Sequence, residues 1–242
     1  MSAGQARRAL VFGGTGYVGQ AVLRALAARD VRATFTYRRK RAQADALAAE
    51  LGHDARGVDL RSSAEVGALV GALLAGGAPP DLFIHCATVG RPLPLADVSD
   101  EIAEEAYAVN VRSAFVACRA LLPAWAATAG TGGDVVLLTY VDGAHPTPMP
   151  AYFALTQAAV AGLARALAKE FGARGVRANA VQVGPLVDGV ARELPVPLLD
   201  DFERLSAIGR AGTADDVARA IAFVALENRY MTGQVFPVQG GL

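Results

Sequence analysis

Short runs rich in β-branched and aromatic residues alternate along the chain with longer stretches in which Ala, Leu and Val recur at helical spacing. The runs Ala9–Gly13, Val31–Tyr37, Ala55–Asp59, Asp81–Ala87, Asp134–Tyr140, Val176–Val183 and Gln234–Val238 read as strands, and helices fill most gaps between them. Val18, Val22 and Leu26 recur at intervals of four and make one buried stripe on the first helix. Strands separated by helices run parallel with right-handed crossovers, which gives an open sheet covered by helices on both faces. The pattern therefore predicts an α/β, doubly wound fold with a seven-stranded parallel sheet and a ligand crevice beyond the carboxyl ends of the strands.

The chain has 242 residues, and its Gly/Pro-rich pieces (Gly76–Pro80, His145–Pro150, Pro195–Pro197) are short enough to be loops inside one domain spanning residues 1–242. Periodicity is weak between Leu186 and about Ile208, just after a predicted strand, and this segment is the expected substrate loop.

Hydrophobic residues make up 53% of the chain and charged ones 19%, which excludes disorder and implies a large core. Twenty-three basic residues balance 23 acidic ones, so there is no global field to draw the protein to nucleic acid or anionic lipid. Cys86 and Cys118 fit neither a disulfide framework nor a zinc site, and they suit a reducing compartment. No apolar run approaches the ~20 residues that span a bilayer, so a cytoplasmic protein is expected, with no membrane partner. The stretches Ala114–Trp125 and Ala158–Leu167 are apolar nearly all round and call for a second covering surface.

Ala9-Leu10-Val11-Phe12 followed by Gly13-Gly14-Thr15-Gly16-Tyr17-Val18-Gly19 is strand, glycine turn and helix. Glycines there permit a tight turn and let backbone N–H groups approach a diphosphate at the positive end of the helix, the arrangement of a Rossmann dinucleotide site. At the end of the second strand stand Arg38, Arg39, Lys40 and Arg41. Cations at a helix N-terminus oppose its dipole and ask for an anion, which favours NADP(H) over NAD(H), with Arg38 and Arg39 as the forks for its 2′-phosphate. Asp59, after the third strand, either accepts a hydrogen bond from the adenine amino group or caps the next helix.

Tyr152 to Gly184, with Ile208-Gly209-Arg210-Ala211-Gly212-Thr213 and the ending Met231-Thr232-Gly233-Gln234 to Gly240-Gly241, resembles the short-chain dehydrogenase/reductase superfamily over nearly the whole chain. The likeness is to the classical branch, especially 3-oxoacyl-(acyl carrier protein) reductases, although Gly13, Gly16 and Gly19 have the spacing of the extended branch. The resemblance implies cofactor contacts from Gly13, Thr15, Gly16, Tyr17, Val18, Gly19, Arg38, Arg39, Asp59, Leu60, Cys86, Ala87, Thr88, Gly184 and Pro185. It implies a homodimer or homotetramer built on the two apolar helices, and a small-molecule or carrier-bound acyl substrate such as a polyketide-like ketone.

In that family a tyrosine phenol protonates the carbonyl that receives hydride, a lysine four residues on favours the phenolate and holds the ribose, a serine steadies the carbonyl oxygen, and an asparagine anchors a proton relay. Asn110 matches the asparagine and Tyr152 the tyrosine, while Thr156 stands at the lysine position with Gln157 after it. Counting thirteen back from Tyr152 puts Thr139 at the serine, whereas aligning on Val141-Asp142-Gly143 puts Tyr140 there. His85-Cys86-Ala87-Thr88 replaces the usual Asn-Asn-Ala-Gly, and Asp188 replaces a common threonine.

Without a cation ~4–6 Å away the phenolate is scarcer, so the loss hurts alcohol oxidation more than carbonyl reduction. A slow reductase is expected, and Thr156→Lys should quicken it. His145 in the following loop and Tyr140, whose Leu-Thr-Tyr setting is similar to enoyl-(acyl carrier protein) reductases, are alternative acids. Lys169 lies 17 residues beyond Tyr152, ~25 Å along a helix and out of reach. A catalytically silent NADP-binding homologue or partner subunit is the other reading of the missing lysine.

Overall fold

The computed structural model describes residues 7–128, 132–140, 149–189 and 196–242. Strands β1 (Arg8–Phe12), β2 (Arg32–Tyr37), β3 (Asp54–Gly57), β4 (Leu82–His85), β5 (Gly133–Tyr140), β6 (Val176–Val183) and β7 (Val235–Val238) form one parallel seven-stranded sheet in the order β3-β2-β1-β4-β5-β6-β7. Every strand expected from the sequence is present to within about two residues, the usual uncertainty of element ends.

The period of two along β1 divides the core. Ala9 and Val11 face one side, packed with Val18, Val22 and Leu26 of α1 (Tyr17–Ala27) and Val217 and Ile221 of α8 (Ala214–Ala222). Leu10 and Phe12 face the other side with α3 (Ser63–Ala75), α5 (Ser113–Ala127) and α6 (Ala151–Phe171). Strands buried on both faces have no polar side, which is why β1, β4 and β5 read as nearly continuous apolar runs. The helix α2 (Arg41–Leu51) joins β2 to β3.

Between β4 and β5 the helix α4 (Asp100–Tyr107) passes through one wide turn, Ala108–Arg112, directly into α5. Such turns inside a helix re-aim side chains and recur at functional sites; here the turn carries Asn110. By length and composition alone, Ala151–Arg174 could cross a membrane, but half of it is buried inside the protein, where α6 packs on the sheet. The segment expected to be a substrate loop contains the helix α7 (Val196–Leu205), and its residues 190–195 lie outside the described ones.

At the amino ends of the strands one buried carboxylate collects two guanidinium groups. Asp134 accepts from Arg7 Nη2 at 2.9 Å and from Arg177 Nε and Nη2 at 2.8 Å each. Arg7 also reaches Asp81 at 2.9 Å and the carbonyl of Ala225 at 2.8 Å. Burial pushes the Asp134 carboxyl pKa up while the guanidiniums oppose that shift, so a charge that would be costly alone is tolerated here.

Candidate active site

The turn after β1 is built from contacts only glycine allows. Gly13 has φ +81°, its N–H donates to Thr36 Oγ1 at 3.1 Å, and a Cβ on it would lie 2.8 Å from the Ala87 backbone. The N–H of Gly16 donates to Gly13 O at 2.9 Å, and a Cβ on Gly19 would collide with that same oxygen. Gly16 is the N-cap of α1 and supplies no side-chain cap, so the first N–H groups of the helix face the crevice without one. The crevice is a cleft of about 940 Å³ at the carboxyl ends of the strands. Thr88 Oγ1, on a residue lining it, is buried with no hydrogen-bond partner among the described residues. An orphaned polar atom beside a glycine cradle at a helix N-terminus fits a bound dinucleotide.

The cleft gathers Gly13, Thr15, Gly16, Tyr17, Val18, Arg38, Arg39, Asp59, Leu60, Cys86, Ala87 and Thr88. Three residues expected there are not among its lining. Gly19 acts one layer below by letting α1 approach the turn, Gly184 packs against Gln239, and the carbonyl of Pro185 accepts from Gly212 N–H at 3.0 Å.

At the end beside β2 and β3 charge is already paired. Arg38 Nη1 lies 3.2 Å from Glu105 Oε1 and Arg61 Nη1 lies 3.5 Å from it. Asp59 accepts from Arg61 Nε at 3.0 Å on both oxygens, which holds its carboxyl below the usual range. Asp59 is not the helix cap, because Ser62 Oγ accepts from the Glu65 N–H at the start of α3. Arg39 and Lys40 line the cleft, while Arg41 faces Asp45 at 3.6 Å.

At the opposite end the structure separates the two counts for the active-site residues. Tyr140 lines the cleft at the tip of β5, with its ring 5.6 Å from that of Phe153. Thr139, the neighbour with the opposite side-chain direction, is fully buried and donates to Gln157 O at 2.9 Å. Tyr152 does not line the cleft: its hydroxyl accepts from Arg91 N–H at 2.6 Å and donates to Arg91 O at 3.0 Å. Asn110 and Thr156 are likewise enclosed. Asn110 Oδ1 accepts from Val89 N–H at 2.8 Å, and its Nδ2 donates to Val89 O at 2.9 Å and Thr156 Oγ1 at 3.0 Å. Thr156 Oγ1 donates a hydrogen bond to Phe153 O at 2.8 Å. Asn110 thus fixes the backbone of a cleft-lining residue without touching the cleft itself. His145 lies outside the described residues.

Phe153 and Gln157 are the two residues that sequence reasoning missed. Gln157 is buried, and its Oε1 accepts from Tyr140 N–H at 3.1 Å while its Nε2 donates to Thr156 Oγ1 at 3.1 Å. The signal was present: if Tyr140 occupies the serine position, thirteen residues on is Phe153 and four beyond that is Gln157. Burial pushes the Tyr140 phenol above the ordinary tyrosine range and the neighbouring Cys86 adds to the shift, while burial raises the Cys86 thiol to about 12. At neutral pH both carry their protons.

A single glycine-turned parallel sheet with its cleft at the β1–β4 switch point defines a dinucleotide-binding oxidoreductase fold. A family model described as enoyl-(acyl carrier protein) reductase matches residues 16–242, and the chain belongs to the short-chain dehydrogenase/reductase family. The mouse (3R)-3-hydroxyacyl-CoA dehydrogenase is 29% identical over 165 residues, a match spanning 68% of this chain and 63% of that protein, under two thirds of its length. The cyclic-di-GMP-binding biofilm dispersal mediator protein of Escherichia coli K12 is 28% identical over 99% of this chain and 98% of its own. Among solved structures, a blue fluorescent protein from a metagenomic library, in complex with NADPH, is 29% identical with TM-score 0.86, covering 97% of each chain.

Proposed function

We propose that the protein binds NADP(H) in this cleft and reduces a ketone on an acyl substrate, with Tyr140 rather than Tyr152 as proton donor. The observation that carries the reading is the division of labour between the two phenols: Tyr140 lines the cleft, and the Tyr152 hydroxyl is held at both donor and acceptor by the Arg91 backbone. Gly13, Thr15 and Gly16 would hold the diphosphate, Arg38 and Arg39 the 2′-phosphate, and Thr88 Oγ1 would gain its missing partner. The cofactor supplies the hydride when bound.

The part of this chain is to present a proton. The Tyr140 phenolic proton would pass to the carbonyl oxygen as that oxygen gains negative charge, leaving the phenolate, and Gln157 keeps the tip of β5 in place through the Tyr140 N–H. Gln157, at the position of the family's lysine, is neutral and brings no charge to stabilise the phenolate left behind, so the site is suited to slow reduction and poorly to alcohol oxidation. Val89, Val109, Leu138 and the Tyr140 ring give the cleft an apolar lining that suits an acyl chain.

The test is to follow NADPH absorbance with a panel of β-keto thioesters. Consumption that survives Tyr152→Phe and is lost in Tyr140→Phe supports the proposal. A second reading, a silent NADP-binding homologue, is favoured by Gln157 and Phe153 replacing an ammonium and a phenol; binding of NADPH with no consumption on any substrate would establish it. Phe115 on α5 and Leu155 on α6 are 46% and 71% exposed, and they support self-association through those helices, to be measured by light scattering.

A further inference from the structure

The cations expected to receive the 2′-phosphate are partly taken by the protein itself. Arg38 follows β2 and Arg61 follows β3, whereas Glu105 belongs to α4, a separate element between β4 and β5. All three line the cleft, and the Glu105 carboxylate stands 3.2 Å from Arg38 and 3.5 Å from Arg61. Arg61 is already committed to Asp59, so the ring Asp59–Arg61–Glu105–Arg38 alternates in sign and closes on zero charge. Its neighbour Glu104 turns away to Arg112 at 2.6 Å, which leaves Glu105 as the acid that α4 points at the arginines.

A carboxylate and a phosphate compete for the same guanidinium because each presents a pair of anionic oxygens to its N–H donors. We propose that Glu105 is a specificity-determining residue: an internal anion that occupies Arg38 in the free protein and must be displaced by a 2′-phosphate, but not by the ribose hydroxyl of NAD(H). The proposal rests on the cofactor reading above. Each pair is partly exposed and weak, so the toll is a few-fold in binding and not a block.

The experiment is calorimetric titration of the full chain and of Glu105→Gln and Glu105→Ala with NADPH, NADH, 2′,5′-ADP and 5′-AMP. Both variants should bind NADPH and 2′,5′-ADP roughly threefold to tenfold more tightly, with NADH and 5′-AMP changed less than about twofold. Arg38→Ala should remove the gain when combined with Glu105→Gln. Unchanged affinity for NADPH, or equal shifts for the phosphorylated and unphosphorylated ligands, would overturn the role of Glu105 while leaving the cofactor reading intact. Absence of NADPH binding by the unmodified chain would overturn both.

Discussion

Gln157 lends its side-chain oxygen to the main-chain N–H of Tyr140 at 3.1 Å, joining the middle of α6 to the tip of β5. The contact ties the residue at the lysine position of one count to the residue at the serine position of the same count, with the Phe153 ring tilted 60° against that of Tyr140. A buried neutral amide has replaced the cation, and the hydrogen-bond network around it is closed.

That closure reverses the expectation for Thr156→Lys. Thr156 is buried and serves Asn110, Gln157 and the Phe153 carbonyl. An ammonium there would be unpaired and enclosed, so the variant should lose about 3 kcal/mol or more of stability and gain no turnover. Chemical denaturation alongside a rate assay checks both.

Phe153→Tyr with Gln157→Lys is the pair that would restore a phenol beside the Tyr140 ring and an ammonium near the tip of β5. It should raise reductase turnover by ~10²-fold over the parent chain and open alcohol oxidation. The single Gln157→Lys should do neither. Steady-state rates in both directions, with a melting curve for each variant, decide it.

Tyr152→Phe should cost ~1–2 kcal/mol, because the Arg91 N–H loses its acceptor in a largely buried setting, and should leave NADPH binding unchanged. Tyr140→Phe should leave stability nearly unchanged and remove turnover. Measuring the two side by side separates a structural phenol from a chemical one.

Gly19→Ala puts a methyl against the Gly13 carbonyl oxygen and spreads the turn that would hold the diphosphate. NADPH affinity should fall by at least about tenfold, with a loss of stability in the ~1–3 kcal/mol range of overpacking. Titration of the folded variant checks the first and thermal unfolding the second.

His85 gives the fold an acid-side slope. It is fully buried, its Nε2 lies 2.8 Å from Ser113 Oγ, and burial lowers its pKa from 6.5 to about 4. Between those values the unfolded chain binds the proton and the folded chain does not, so stability is highest above about 6.5 and falls as pH drops toward about 4. The full difference is of order 3 kcal/mol. Urea unfolding from pH 7 to pH 4 should show this slope in the parent chain and a shallower one in His85→Leu.

The fold was legible because its two periods were clean: alternation in β1 and fourfold spacing in α1 each describe one buried surface. The glycine turn and Arg38 were legible because they are contiguous with a strand end. The active-site register was not, and the reason is geometric. Neighbouring positions on a helix point ~100° apart, so the choice between Phe153 and Tyr152 moves the side chain from the Tyr140 ring to the Arg91 backbone. With lysine gone from both counts, only the strand at Tyr140 could fix the register. Glu105 carried no local signal, because its meaning comes from meeting Arg38 in space.

The carboxylate of Asp134 gripped by Arg7 and Arg177 fastens neighbouring strands together at the foot of the sheet, far from the rim where ligands would arrive. A barrel-stave arrangement hooped at its base can have its upper edge recarved without coming apart. Tyr140, at the opposite end of β5 from Asp134, can therefore exchange its side chain while that brace stays put.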